Sequence, residues 1–221
     1  MTDSDKALHG RSKISSREAA IPAGERILHG TLRLPASPKG AVLFAHGSGS
    51  SRFSPRNQAV AAHLQQARFA TLLADLLDES EAEDRAKVFD IDLLADRVTA
   101  AQAWLAAQPE TAQMPIGCFG ASTGAAAALK AAARAPQAFA AVVSRGGRPD
   151  LADEELPLVV APTLLIVGGA DHVVLKLNRS AFERLRCPKD LVVIPGATHL
   201  FEEPGALEQV AQSAAAWFAR W

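Results

Sequence analysis

From Arg26 to Leu34 the chain alternates, with Ile27, His29, Thr31 and Arg33 on one face and Leu28, Gly30, Leu32 and Leu34 on the other. A period of two over that length predicts a half-buried strand, paired antiparallel with the stretch from Ile14 to Ile21. Beyond Pro38-Lys39-Gly40 the pattern changes to short, unbroken apolar runs: Ala41–Ala45, Phe69–Ala74, Ile116–Phe119, Phe139–Val143, Thr163–Val167 and Leu191–Ile194. Runs of this length predict strands buried on both faces of a parallel sheet. Helical spacing fills the intervals. Ile91, Leu94, Val98, Ala101 and Leu105 form one stripe, and Leu207, Val210, Ala214, Trp217 and Trp221 form another. The alternation predicts a mostly parallel, doubly wound α/β sheet with antiparallel N-terminal strands. It occupies one domain over residues 14–221, behind a polar tail at residues 1–13.

Composition narrows the function. The chain has 221 residues, 48% of them hydrophobic, and a formal charge of −1. That balance supplies no basic face for nucleic acid. Aromatic residues make up only 5% and Tyr is absent, so stacking platforms for bases are not expected. Cys118 and Cys187 are too few for a disulfide framework and are expected as reduced thiols, Cys118 as a small buried residue on its strand. No segment reads as a signal peptide, an anchor or a membrane span, which points to a soluble cytoplasmic protein. Metal-ligand spacings such as H-E-x-x-H and C-x-x-C are missing, and no cofactor is expected. The acidic run Asp78–Asp84 reads as a solvated loop.

In open parallel sheets the functional residues follow the carboxyl ends of the strands. After Ile116–Phe119 comes Gly120-Ala121-Ser122-Thr123-Gly124, and then the Ala-rich helical stretch 125–134. This is G-x-S-x-G in the context that gives it meaning, a buried strand turning directly into a helix. The competing reading makes Ser122 only a helix cap. A serine nucleophile needs a base, and of six histidines His199 is the one in a turn between the last strand and the last helix. The base needs an acid to fix its tautomer. Asp171 follows the penultimate strand in Gly168-Gly169-Ala170-Asp171, where it could instead cap the next helix; its neighbour His172 is read as a bystander.

On these residues, together with Phe44-Ala45-His46-Gly47-Ser48-Gly49-Ser50 and Gly196–His199, the chain resembles the α/β-hydrolase superfamily. Within it, the chain is similar to small dienelactone-hydrolase-like proteins from about Arg26 to Trp221. The resemblance implies that Ser122 is the nucleophile, His199 the base and Asp171 the acid. It also implies an oxyanion hole made by the Thr123 N–H and a second donor in the His46–Gly49 loop, Ser48 N–H first and Gly49 as the fallback. Named dienelactone hydrolases use Cys where this chain has Ser122, and their carboxylate-binding arginines do not map here. Of Arg52, Arg56, Arg145 and Arg148, Arg145 is the best candidate for holding an anionic substrate group; pairing with nearby acids such as Asp150 or Asp153 is the alternative. The short span from Arg145 to Ala161 leaves no room for a lid.

The expected activity is hydrolysis of small or soluble carboxylic esters, extending to lactones or thioesters, through an acyl-enzyme. The partner is a small-molecule ester, with no nucleic acid and no membrane; oligomeric state is not legible. Two alternatives stand beside it: acyl transfer to an acceptor other than water, and a non-catalytic binding module on the same fold. The Phe44–Asn57 block is also similar to hydrolase modules fused to phosphoribosyltransferases. This chain lacks the acidic pair and phosphate loop that such a transferase needs.

Overall fold

A computed structural model describes residues 14–221; the polar tail at residues 1–13 lies outside the described residues. Eight strands form one sheet: β1 (Ser15–Ala23), β2 (Arg26–Leu34), β3 (Gly40–Ala45), β4 (Phe69–Ala74), β5 (Ile116–Ala121), β6 (Ala141–Arg145), β7 (Thr163–Gly168) and β8 (Lys189–Ile194). Seven helices accompany them: α1 (Pro55–Gln66), α2 (Glu79–Ala82), α3 (Arg85–Val88), α4 (Ile91–Ala106), α5 (Thr123–Arg134), α6 (His172–Arg184) and α7 (Ala206–Phe218). The sheet order is β1-β2-β4-β3-β5-β6-β7-β8. β1/β2 and β2/β4 pair antiparallel, and all later pairs run parallel. The β1–β2 hairpin turns on Gly24, whose φ of +65° suits the first position of a two-residue turn.

The unbroken apolar runs arise because both faces of the sheet are covered. Consecutive residues split between two cores: Leu43, Cys118, Val142 and Leu165 pack towards α4 and α5, while Phe44, Phe119, Val143 and Ile166 pack towards α1 and α7. α5 is nearly all alanine on its buried side. That thinness sets the helix close to the sheet directly behind Ser122.

Three details depart from the sequence expectation. β6 begins at Ala141 rather than Phe139 and runs on through Ser144 and Arg145, because its parallel register with β5 continues to Ala121↔Arg145. The acidic run is not a plain solvated loop. Asp78 and Glu81 form a capping box that starts α2, and Glu81, only 3% exposed, is held by Arg97 at 3.1 Å. Trp221 lies past the end of α7, which stops at Phe218. Between β6 and β7 there is only a 3₁₀ segment, Pro149–Leu158, and no lid. Among the described residues no helix is long and apolar enough to cross a membrane.

Candidate active site

Ser122 sits between β5 and α5 with φ +52° and ψ −120°, a left-handed conformation that a residue with a side chain adopts only under constraint. The constraint is visible in the glycines around it. A Cβ on Gly120 would lie 2.5 Å from the Ala125 Cα, and one on Gly124 would overlap the carbonyl oxygens of Ala45 and His46. Strand, turn and helix can close this tightly only with glycine at both places. Ser122 occupies the N-cap position of α5, yet its side chain makes no capping hydrogen bond. The hydroxyl is left available for chemistry.

His199 and Asp171 meet across two loops pressed together. A Cβ on Gly168 would overlap the Ala197 carbonyl oxygen, and Ala170 N–H donates to that same oxygen at 2.9 Å. This contact sets His199 Nδ1 2.7 Å from Asp171 Oδ2. Asp171 is 15% exposed and His199 38%. Nδ1–H therefore donates to the carboxylate, and Nε2 carries the lone pair that can take a proton. Asp171 performs the capping role as well: its Oδ1 accepts from Val174 N–H at 3.3 Å at the start of α6. The end of β6 brings the parts together. Ser122 N–H donates to the Arg145 carbonyl oxygen at 3.2 Å, and Gly146 packs beneath His199, where a Cβ would lie 3.3 Å from the His199 carbonyl oxygen.

The loop after β3 faces Ser122 from the other side. A Cβ on Gly47 would lie 2.9 Å from the Ser122 Cβ. His46 fixes this loop: its Nδ1–H donates to the Gly47 carbonyl oxygen at 2.9 Å, and its Nε2 accepts from Leu76 N–H at 3.1 Å. In the sequence His46 stands directly after the run Ala41–Ala45, and only the fold shows its ring bridging Gly47 and Leu76. Ser48 N–H, expected as a free second oxyanion donor, donates instead to Thr123 Oγ1 at 2.9 Å. Gly49, with φ +66°, follows it. Arg52 anchors the far end of the loop, with its backbone N–H on Asp75 Oδ1 at 2.7 Å and its guanidinium paired with Asp75 Oδ2. A cavity of about 630 Å³ is walled by this loop itself, from His46 to Phe53, and across from it by His29, Asp75, Leu77 and Glu79 among others; neither Ser122 nor His199 lines it.

Burial pushes His46 below the ordinary imidazole value of 6.5, against smaller raising effects from the Gly47 carbonyl and Asp75. Its folded-state pKa is depressed, so in acid the unfolded chain binds a proton that the folded chain resists. Stability is therefore present above the ordinary value and declines as pH falls through it. Urea midpoints from about pH 8 to about pH 5 should fall more steeply for the wild type than for His46→Gln. Equal slopes would remove His46 from the acid response.

Of the four arginines, Arg52 pairs with Asp75, Arg56 with Glu202 at 3.2 Å and Arg148 with Asp150 at 2.7 Å. Arg145 differs. It is 5% exposed, has no carboxylate partner among the described residues, and makes one long hydrogen bond of 3.4 Å to Asn57 Oδ1. Its Nε is buried without a partner, and the guanidinium lies 5.7 Å from the centre of the Phe201 ring. Burial, and then the charge of Arg56, push its pKa down to about 10, which leaves it a cation at neutral pH. Cys118 is fully buried and pushed up to about 12, so it stays an inert thiol.

The profile of the Dienelactone hydrolase family matches residues 28–221. The chain belongs to that family. A solved structure described as the dienelactone hydrolase of Anabaena variabilis is 54% identical, covers 94% of this chain and 98% of its own, and superposes with a TM-score of 0.91. Est1E of Butyrivibrio proteoclasticus shares only 16% identity, covers 92% of this chain and 98% of its own, and shows the same fold at a TM-score of 0.79. A provisionally named phosphoribosyl transferase of Mycobacterium tuberculosis is 58% identical over 205 residues, which is 93% of this chain but 46% of that protein. The chain thus spans less than half the length of that curated relative. Its fold is the α/β-hydrolase fold of its family, and the family is one of hydrolases.

Proposed function

We propose that this member of the dienelactone hydrolase family is a serine hydrolase of carboxylic esters. The observation that carries the reading is Ser122. It is held in a left-handed turn with its hydroxyl excluded from helix capping, and the end of β6 lies against both it and His199, whose Nδ1 is taken up by Asp171 so that Nε2 is the ring nitrogen left to accept a proton. Ser122 Oγ attacks the ester carbonyl carbon as His199 Nε2 takes the hydroxyl proton. Asp171 holds the ring and stabilises the imidazolium. Thr123 N–H, at the first position of α5 and without an intrahelical partner, receives the oxyanion. On collapse the carbon–oxygen bond to the alcohol breaks and His199 protonates the leaving oxygen. Water then repeats the sequence to free the acid.

The missing lid favours small or soluble esters, because nothing closes over the site to exclude water from a long acyl chain. Two buried free thiols, Cys118 and Cys187, suit a reducing compartment. Hydrolysis of p-nitrophenyl acetate by the wild type, absent in Ser122→Ala of unchanged circular dichroism, tests the reading. Equal rates in the two proteins would refute it.

Arg145 is the residue we assign to an anionic group of the substrate. A buried cation without a carboxylate costs several kcal/mol, and a bound anion would offset that cost. Replacing it by Met should raise KM for a carboxylate-bearing ester about tenfold, while a neutral ester of the same size changes little. The same variant should unfold at an unchanged or higher temperature, since an apolar chain of similar volume removes the buried charge. A lower midpoint with equal losses on both esters would make Arg145 a structural strut.

A further inference from the structure

Asn178 is a polar side chain of α6 with no exposed surface. Its Nδ2 donates twice, to the Val174 carbonyl oxygen at 2.8 Å and to the Gly147 carbonyl oxygen at 3.0 Å. Two carbonyl partners fix the orientation of the amide, since only its nitrogen end donates. Oδ1 is left buried and accepts nothing among the described residues. An orphaned buried acceptor is a cost that an apolar residue of similar shape would not incur. The bond to Gly147 is therefore retained against a penalty.

Gly147 belongs to the turn 145–148 that leaves β6, and this turn brackets the nucleophile. Ser122 N–H donates to the Arg145 carbonyl oxygen at 3.2 Å, and Arg148 N–H donates to the Ser122 carbonyl oxygen at 3.1 Å. Gly146, with φ +52°, packs beneath His199, where a Cβ would lie 3.6 Å from the ring Cε1. Gly147 is wedged between β6 and α5: a Cβ there would overlap Ser144 Oγ and lie 2.7 Å from the Ala125 Cβ. Asp171 caps the start of α6, about 10 Å along the helix from Asn178 and on the same face. One rigid helix thus carries both the carboxylate that holds His199 and the amide that holds the turn beneath it.

We propose that Asn178 is a positioning residue of the triad: its amide ties α6 to the Gly146–Gly147 turn and so keeps Ser122 and His199 in register for proton transfer. This rests on the serine-hydrolase reading. Asn178 touches neither substrate nor reacting atoms, and it acts through the turn alone. A misplacement of about 1 Å in such a constellation costs about 100-fold in rate.

Asn178→Thr separates the two bonds. A threonine hydroxyl donates to the carbonyl four residues back, that of Val174, and leaves Gly147 without its donor. The expected result is a fall in kcat for p-nitrophenyl acetate of about 100-fold, with an equal fall in the rate at which a fluorophosphonate labels Ser122. The acid limb of the kcat profile keeps its midpoint, because Asp171 still holds His199 Nδ1. Asn178→Leu, which removes both bonds, falls with Thr; if it does not fold, Asn178→Ser takes its place. Leu175→Ala is the control, since it truncates a buried side chain of the same helix without touching Gly147. It should lower the thermal midpoint at least as far while leaving kcat within about threefold of the wild type. A Thr variant with wild-type kcat overturns the proposal. So does an equal loss of kcat in Leu175→Ala, or an acid limb that moves in the Thr variant. Wild-type labelling at Ser122 beside an unimpaired Thr variant removes only the role of Asn178; an unlabelled wild type removes the hydrolase reading and this proposal with it.

Discussion

Replacing Asp171 by Asn should lower kcat for a small ester by about 10⁴-fold while leaving the protein folded. Asp171 has two oxygens with separate tasks. Oδ1 accepts from Val174 N–H at the start of α6, and Oδ2 lies 2.7 Å from His199 Nδ1. An asparagine can keep its carbonyl oxygen on Val174 and so preserve the cap. Its amide then turns N–H groups towards His199 Nδ1, which drives the ring proton onto Nε2, where the Ser122 proton has to go. The change isolates tautomer control from helix stability, as Asp171→Ala would not. The check is kcat on p-nitrophenyl acetate beside the urea midpoint. A 10⁴-fold loss with the midpoint unmoved is the expected pair. Retained turnover would mean that His199 does not work through Asp171.

Gly124→Ala should destabilise the protein by at least about 3 kcal/mol or prevent its soluble expression. A methyl at this position would overlap the carbonyl oxygens of Ala45 and His46, which belong to β3 and the loop after it. Those atoms are backbone at the end of a central strand flanked by β4 and β5 and in the first residue beyond it, so they cannot swing aside as a side-chain tip could. Relief would require α5 to lift from the sheet, which would open the Ala-rich packing behind Ser122 and move Gly47 off the nucleophile. Gly24→Ala serves as the comparison. It adds a methyl in open space at a positive φ, so only the backbone strain of about 1 kcal/mol is expected. Urea unfolding of the two variants ranks the effects, and a Gly124→Ala midpoint equal to that of the wild type would contradict the close approach.

The fold was legible because its strands announce themselves. Burial on both faces leaves Val42–Ala45 and Leu164–Val167 no polar positions, and the β1–β2 hairpin kept its alternation because one face meets water. Where polar residues enter a buried strand the pattern failed: Ser144 and Arg145 extend β6 past its apolar run, guided only by pairing with β5. The charged stretch 78–84 looked solvated because an ion pair between Glu81 and Arg97 joins residues sixteen apart, a contact that periodicity does not encode. Ser122, Asp171 and His199 stand out as candidates because each follows a strand end. The partners of Ser48 and Arg145 did not, since both depend on which neighbour lies within hydrogen-bond reach. A sequence shows that Thr123 follows Ser122; only the fold shows its hydroxyl on Ser48 N–H.

The central claim is that Ser122 is an activated nucleophile, and intact mass after exposure to a fluorophosphonate tests it without any guess at the acyl group. The wild type is expected to gain the mass of one phosphonyl adduct at neutral pH, mapped to the peptide containing Ser122, and Ser122→Ala is expected to gain none. An unmodified wild type, or an adduct that persists in Ser122→Ala, would contradict the account.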